Sequence, residues 1–153
     1  VGKILTKYLK KFHDKGIRII ILGTRERLSK SVLKAIDNAE EKTVANSNGT
    51  LALCFNYGGH QEILDMYRQM YDAGVDPHGM DVKDLAQYYY HPEVPGCDLV
   101  VRTSGEHRLS GFMLPRSDYA EFIFDQTYWP DLGETHVDAY IEEFNSRQRR
   151  FGK

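Results

Sequence analysis

The sequence predicts an α/β fold in which a mostly parallel central sheet is flanked by helices. Short apolar runs rich in β-branched residues alternate along the chain with apolar residues that recur at helical spacing. Turn-forming residues separate them, as in Asn46-Ser47-Asn48-Gly49. Strands that alternate with helices favour a mostly parallel sheet covered on both faces. With 153 residues, the chain has the length of one domain, and we expect residues 1–153 to form it.

The first half of the chain predicts three helices and two strands. Residues 17–22 and 50–55 are apolar runs suited to strands buried on both faces. Gly16 ends the first helix, Ser29 or Ser31 caps the second, and a third starts near Gln61. The apolar positions of the first two helices are Ile4, Leu5, Tyr8, Leu9 and Phe12, then Leu28, Val32, Ile36 and Ala39.

The second half predicts two further strands and two helices. A loop with Pro77 precedes a helix near residues 82–89. Residues 98–102 and 122–124 have the composition of strands. The i, i+3, i+4, i+7 spacing that marks the final helix is formed by Val137, Tyr140, Ile141 and Phe144.

Composition and charge exclude several classes of protein. The formal net charge of −2 provides no overall basic field for nucleic acid. Cys54 and Cys97 are far apart, so we expect free thiols in a reducing compartment. No apolar run reaches about 18 residues, and the start, Val1-Gly2-Lys3, shows neither a signal-peptide pattern nor an initiator methionine.

Two polar segments directly follow predicted strands, where open α/β sheets bind their ligands. They are residues 56–60 and 102–110. In the second, Arg102 and Arg108 offer planar donors that grip phosphate oxygens in pairs, and Ser110 adds a hydroxyl. Gly105 and Gly111 let backbone amides approach an anion. Spacing alone leaves an alternative open, namely a solvated turn whose arginines pair with surface carboxylates.

The residue types in this segment resemble the C-terminal signature of cis-prenyltransferases, Arg-Thr-(Ser/Gly)-Gly-Glu-x-Arg-(Leu/Ile)-Ser followed by a small or polar residue and an aromatic. It runs here without a break from Arg102 to Phe112. Four other blocks of the same family follow its order and spacing: Asn56-Tyr57-Gly58-Gly59, Tyr119-Ala120-Glu121-Phe122, Trp129-Pro130-Asp131 and Arg149-Arg150-Phe151-Gly152. The substitutions Thr24, Gly111 and Pro115-Arg116 depart from the usual pattern.

The resemblance implies a role for each matching residue. Arg102, Arg108 and Ser110 would bind the diphosphate of isopentenyl diphosphate, with Glu106 orienting the arginines and His107 incidental. Glu121 would hold Mg²⁺ near that diphosphate, unless it is a strand-edge carboxylate satisfied by an arginine. Arg150 would reach the diphosphate across a dimer interface, unless it belongs to a frayed basic helix end.

The activity implied by the resemblance is condensation of isopentenyl diphosphate with an allylic diphosphate, such as farnesyl diphosphate, to a cis-polyprenyl diphosphate. We expect a cytoplasmic homodimer that depends on Mg²⁺, binds no nucleic acid and contacts membrane only at its surface. The aromatic residues that suggest the dimer interface are Phe122, Phe124, Tyr128 and Trp129.

The resemblance covers the C-terminal two-thirds of the family's catalytic domain. The family's Asp-Gly-Asn-x-Arg-Trp block, whose aspartate holds magnesium, does not occur in the sequence. We therefore expect the N-terminal part to be missing and this chain alone to be incomplete for catalysis. The alternative is a non-catalytic diphosphate-binding subunit of a prenyltransferase complex. The hypothesis of an unrelated nucleotide-binding domain is weaker, because the sequence contains neither G-x-G-x-x-G nor G-x-x-x-x-G-K-[ST].

Overall fold

The computed structural model describes residues 2–147. The chain divides into two compact units, Val1–Val94 and Pro95–Lys153. Each unit contains one two-stranded parallel sheet with helices. The prediction that residues 1–153 form one domain stays a prediction.

The first unit alternates helices and strands as the sequence predicts. Strands β1 and β2 pair in parallel, with Ile17 opposite Gly49 and Leu22 opposite Cys54. The positions of the two predicted strands are confirmed to within one residue. The expectation that both are buried is wrong for β2, whose residues are only partly buried or exposed, because in this structure β2 pairs with β1 alone. The elements are α1 Gly2–Asp14, β1 Ile17–Leu22, α2 Lys30–Thr43, β2 Gly49–Cys54 and α3 Gly59–Asp72, followed by 3-10 helices at Pro77–Gly79 and Val82–Tyr88.

The core of the first unit lies between β1 and the first two helices. Helical spacing places the apolar residues of α1 and α2 on the faces that meet β1. Ser29 is the N-cap of α2, and its hydroxyl accepts a hydrogen bond from the Val32 N–H. The buried cluster consists of Leu5, Leu9, Ile19, Ile21, Ile36 and Ala39.

Side chains of α2 and the turn that follows it complete the free edge of β1. The Ile19 N–H donates to Thr43 Oγ1 at 2.9 Å, and the Ile21 N–H donates to Glu40 Oε1 at 2.8 Å. Asn46 Nδ2 donates to the Ile17 carbonyl at 2.8 Å. These bonds replace a neighbouring strand, so this edge offers few free groups to another chain.

The second unit contains β3 Leu99–Arg102, β4 Glu121–Phe124 and α4 Glu134–Ser146, with 3-10 helices at Leu114–Arg116 and Trp129–Asp131. The strands are parallel, and Leu99 lies opposite Glu121 while Arg102 lies opposite Phe124. Successive side chains of a strand point to opposite faces. Glu121 and Leu99 therefore share one face of the sheet, and Arg102 and Phe124 share the other. Leu99 lines a groove with Tyr140 of α4, so the face that carries Glu121 is the one beside α4.

Two expectations from composition can be compared with residues 2–147. Cys54 and Cys97 are not joined by a disulfide there. Among the residues described, no helix combines the length and hydropathy that a bilayer-spanning segment requires.

Candidate functional site

The segment 102–111, here called the arginine loop, begins at the last residue of β3. Its backbone is fixed to the chain that follows β4. The Ser104 N–H donates to the Thr127 carbonyl and the Gly105 N–H donates to the Asp125 carbonyl, each at 2.9 Å. The Asp125 N–H in turn donates to the Arg102 carbonyl at 2.8 Å. The loop is therefore held in one place at the carboxyl end of the parallel strand pair, where ligands of such sheets bind.

The arginine loop has a left-handed backbone at four positions. Ser104 and Gly105 have φ of 67° and 69°, and Ser110 and Gly111 have φ of 51° and 76°. Non-glycine residues adopt this region uncommonly, and such backbone often clusters at ligand sites. At Gly105 a Cβ would also come within 2.5 Å of Gln126 Oε1. Both the conformation and the crowding favour glycine there.

Arg102 carries a donor that the rest of the described chain does not satisfy. Its Nε is buried and has no hydrogen-bond partner among residues 2–147. An unsatisfied buried donor costs about 1–3 kcal/mol, more when the group is charged. Stable proteins leave few such groups, and each requires an explanation. A bound anion would supply the missing acceptor.

Arg108 and Ser110 present further donors on the same loop. Arg108 forms an ion pair with Glu106, and its side chain is 66% exposed, so this contact adds little stability. Ser110 is exposed, and its hydroxyl has no hydrogen-bond partner within the described part of the chain. The Glu106 contact matches the orienting role expected for that residue. The three predicted diphosphate ligands thus belong to one loop with available donors.

Glu121 lies apart from the arginine loop of its own chain. It begins β4, three residues along the ladder from the pair of Arg102 and Phe124, an interval of roughly 10 Å, and its side chain starts from the opposite face. Its Oε2 accepts a hydrogen bond from Arg147 Nη1 at 2.8 Å. The hydrogen bonds to Glu121 and Glu143 raise the pKa of Arg147. Glu121 is therefore paired with an arginine in this structure.

The other predicted ligand segment, residues 56–60, is satisfied internally. Asn56 has φ of 52°, and its Nδ2 donates to the carbonyls of Thr24 at 2.9 Å and Glu26 at 3.1 Å. The Tyr57 hydroxyl donates to Glu62 Oε2 at 2.5 Å, and Glu62 is fully buried. These contacts join neighbouring loops of the first unit. The structure supports a structural role for this block.

Two side-chain contacts at the arginine loop were not predicted from the sequence, those of His107, which was expected to be incidental, and of Asp125. The ring of His107 stacks on Phe124, with centroids 4.8 Å apart and planes at 26°. Asp125 accepts hydrogen bonds from the Thr127 N–H and from the Tyr140 hydroxyl, which lower its pKa. The position of Asp125 directly after β4 was a usable signal. Nothing in the sequence indicated which ring His107 would meet.

Two expectations about the site receive no structural description. Arg150 lies outside the described residues. Among residues 2–147, no cluster of three or more histidine, cysteine or carboxylate side chains could form a complete metal site. A cation here would need ligands from a substrate or water in addition to any single carboxylate.

Comparison with known proteins identifies the family. A family model described as "Putative undecaprenyl diphosphate synthase" matches residues 1–152. The chain is 42% identical over 144 residues to a trans,polycis-polyprenyl diphosphate synthase ((2Z,6E)-farnesyl diphosphate specific) of Thermobifida fusca, covering 92% of this chain and 51% of that protein. It is 38% identical over 149 residues to an isoprenyl transferase of Neisseria gonorrhoeae, covering 97% and 59%. The chain thus spans between half and three-fifths of the length of these relatives.

Solved structures give the same result. A probable undecaprenyl diphosphate synthase from Campylobacter jejuni superposes with a TM-score of 0.88 at 30% identity, covering 99% of this chain and 70% of that one. Lavandulyl diphosphate synthase from Lavandula x intermedia, solved with dimethylallyl diphosphate, has a TM-score of 0.89 at 27% identity and the same coverages. These matches confirm the predicted α/β fold with parallel strands. The chain belongs to the undecaprenyl diphosphate synthase family of cis-prenyltransferases.

Proposed function

We propose that this chain carries the isopentenyl diphosphate site of an enzyme that lengthens an allylic diphosphate, such as farnesyl diphosphate, to a cis-polyprenyl diphosphate. The observation that carries the proposal is the buried Nε of Arg102, which has no hydrogen-bond partner among the described residues. Arg102 is also the first residue of the family signature. A diphosphate oxygen is an acceptor of the right charge for it.

The arginine loop would hold the diphosphate through three side chains. Arg102 and Arg108 donate charge-assisted hydrogen bonds to its oxygens, and Ser110 adds a neutral one. Glu106 keeps the Arg108 guanidinium near the loop before the ligand arrives. Because the backbone of the loop is fixed to the segment after β4, these donors need little rearrangement on binding.

The reaction joins the two substrates head to tail. The double bond of isopentenyl diphosphate attacks C1 of the allylic substrate, and the C1–oxygen bond breaks with its electron pair leaving on the allylic diphosphate. A proton then passes from C2 of the isopentenyl unit to the departed diphosphate, and the C–H electron pair forms the new cis double bond. The arginine loop contributes by fixing the diphosphate end of the nucleophile, which orients its double bond.

Magnesium is the cofactor that the family suggests, and Glu121 is the described residue proposed to hold it. The donor chemistry fits: Glu121 is a partly exposed carboxylate, and its Oε1 has no partner within residues 2–147. Because Glu121 lies apart from the arginine loop of its own chain, the diphosphate that shares its cation would be the one bound by a second copy. Mg²⁺ typically takes one or two carboxylates together with substrate phosphates and water. When bound, the ion would neutralise diphosphate charge. Glu121 would supply one ligand, and Arg102 binds the diphosphate independently of it.

The proposal extends to a homodimer. Phe124, Tyr128 and Trp129 expose 39%, 66% and 74% of their surface, and Phe122 stacks on Phe124 with centroids 6.0 Å apart. Exposed aromatic surface of this extent is typical of interfaces. A second chain would cover it and contribute Arg150 to the diphosphate.

We place the enzyme in the cytoplasm, in contact with a membrane surface. The support is chemical: a long polyprenyl chain is apolar and partitions into lipid, whereas both substrates are charged at one end and water-soluble. The product would pass from the enzyme into the membrane that the enzyme contacts.

The test is incorporation of radiolabelled isopentenyl diphosphate into farnesyl diphosphate, with magnesium, by the intact protein that contains this chain. We expect Arg108→Ala to lower kcat/KM by about tenfold or more, because a charge-assisted contact contributes about 1.5–3 kcal/mol. Arg68→Ala is the matched control, since Arg68 is also exposed and paired with a carboxylate, Asp65. Equal activity of Arg108→Ala and the control would contradict the proposal.

A further inference from the structure

Residues 89–94, here called the strap, follow the Val82–Tyr88 helix and end the first unit. Tyr90 fastens the strap to α3: its N–H donates to Glu62 Oε1 at 3.0 Å, and its hydroxyl donates to Asp65. At the far end, the Val94 N–H donates to the His91 carbonyl at 2.9 Å. His91 itself has φ of 47°, a left-handed conformation that needs support from its surroundings.

The His91 ring lies between two carboxylates. Its Nε2 is 3.5 Å from Glu40 Oε1 on α2, and its Nδ1 is 3.4 Å from Glu93 Oε1 within the strap. A neutral imidazole has a single N–H and can donate to only one of these oxygens. The protonated ring can donate to both. The arrangement therefore favours the cation.

The surrounding charges complete this cluster. Glu40 also accepts hydrogen bonds from the Ile21 N–H and from Arg25 Nη2, at 2.8 and 2.9 Å. Glu93 accepts one from Arg18 Nη2 at 2.7 Å. Two arginines and two glutamates balance each other. A protonated His91 adds one positive charge, and because both carboxylates face the ring directly, attraction to them outweighs repulsion by the arginines behind them.

The strap also borders a cavity of about 540 Å³, and His91 is among the residues that line it. The strap forms one wall, and the turn after β1 and helix α3 form the others. The charged groups on those walls are Arg25 and Glu26 from the turn, and Asp65, Arg68 and Asp72 from α3. Asp65 accepts hydrogen bonds from Tyr90, Gln61 and Arg68. The carboxylates that contact the His91 ring are therefore Glu40 and Glu93.

We propose that His91 is a proton-operated clasp, which holds the strap against α2 and β1 when its ring is charged and releases it when the ring is neutral. Release would loosen the wall of the cavity and the segment that leads directly into the second unit at Pro95. The structure provides the two-sided carboxylate contact, the left-handed backbone and a cavity beside the strap.

The pKa directions agree with this geometry. The hydrogen bond to Glu40 raises the pKa of His91, against an opposing effect of burial, and Glu93 raises it further. Burial acts most strongly on Glu40 and Glu93 and opposes ionisation, but their hydrogen bonds lower the pKa of both overall. The contribution of His91 to the stability of the strap is therefore complete below the unfolded-state pKa of about 6.5. It is lost as the pH rises through the higher folded-state pKa. The carboxylate contributions are lost only in acid.

The experiment is hydrogen exchange of the strap amides in the intact protein that contains this chain, at about pH 6 and about pH 9, on either side of the ordinary histidine range. After correction for the intrinsic effect of pH, we expect protection of the strap to fall about two- to tenfold between the two. His91→Asn, which tolerates a left-handed backbone, should remove that difference. His78→Asn, at an exposed histidine without a described side-chain contact, should keep it. Identical pH responses of wild type and His91→Asn would overturn the proposal.

An NMR titration keeps the proposal testable if His91→Asn fails to fold. The His91 ring of the wild type should titrate above the ordinary histidine value of about 6.5, and Glu40→Gln should lower its midpoint. A His91 midpoint at or below about 6.5 would also overturn the proposal.

Discussion

Residues 56–60 and the arginine loop occupy equivalent places beyond a strand, yet their polar side chains are hydrogen-bonded to different extents. Each follows the carboxyl end of a strand in a parallel pair, where a ligand is expected. In the first, the Asn56 side chain donates hydrogen bonds to neighbouring backbone carbonyls, and the Tyr57 hydroxyl donates to the Glu62 side chain. In the second, Arg102 Nε and the Ser110 hydroxyl remain without partners among the described residues.

Position beyond a strand therefore does not by itself predict a ligand loop. An unsatisfied buried donor is a second indication, because folding normally satisfies buried polar groups. A loop that leaves a buried guanidinium donor open loses stability in the free protein and regains it when an anion binds. If this account is right, substitutions in the two loops should separate stability from binding.

The largest expected effect is on binding, at Arg102. Arg102→Ala removes the buried donor and its charge, and isopentenyl diphosphate affinity should fall by roughly 10- to 100-fold, corresponding to about 1.5–3 kcal/mol. The free energy of unfolding should change little, because the substitution also removes an unsatisfied group. Isothermal titration calorimetry and urea unfolding measure the two quantities. A large loss of stability with unchanged affinity would place Arg102 with the structural residues instead.

The opposite pattern is expected at Asn56. Asn56→Ala removes two hydrogen bonds to backbone carbonyls and a side chain that tolerates positive φ, so the free energy of unfolding should fall by about 2 kcal/mol. Affinity for isopentenyl diphosphate should stay within about twofold, a shift smaller than 0.5 kcal/mol. Asn38→Ala, on the surface of α2 and without a described side-chain bond, is the control for stability. A selective loss of diphosphate affinity in Asn56→Ala would remove the distinction between the loops.

The smallest expected effect is on the magnesium dependence of diphosphate binding, at Glu121 in the second unit. Glu121→Gln keeps an acceptor for Arg147 but loses the charge that a cation needs, so the gain in diphosphate affinity with magnesium should shrink by several-fold, or about 1 kcal/mol. Affinity without magnesium should not fall. Glu143→Gln is the matched control, because Glu143 pairs with the same Arg147. A magnesium response that survives Glu121→Gln would assign the cation to other ligands.

Periodicity predicted most of the fold because burial has a simple pattern along these elements. The apolar run at residues 17–22 became β1, and the stripe ending at Phe144 became α4. At residues 82–89 the predicted helix is a 3-10 helix, whose start is fixed by the Asp81 N–H donating to Asp84 Oδ2 and the Asp84 N–H donating to the Asp81 carbonyl. The spacing of apolar residues does not distinguish a 3-10 helix from an α-helix here, since the stability of the 3-10 helix depends on these local hydrogen bonds.

The site was predictable in residue type and only partly in geometry. The signature predicted Arg102, Arg108 and Ser110 as diphosphate ligands, because anion binding requires such donors together. The structure has them on one loop, and their role stays a prediction. It could not reveal that Arg102 Nε is buried without a partner, or that Glu121 starts from the other face of the sheet, since both depend on strand register. The clasp at His91 was equally hidden, because Glu40 is 51 positions away in the sequence.

The most direct test of the central claim is to observe the Arg102 Nε–H itself. In the ¹⁵N-labelled protein, this resonance, assigned by its absence in Arg102→Lys, should move downfield when isopentenyl diphosphate saturates the site, because the proton gains a charged acceptor. The Arg68 Nε–H should not move. If the heat of binding is measured and the Arg102 resonance stays at its free position, the diphosphate is held elsewhere and the account is contradicted.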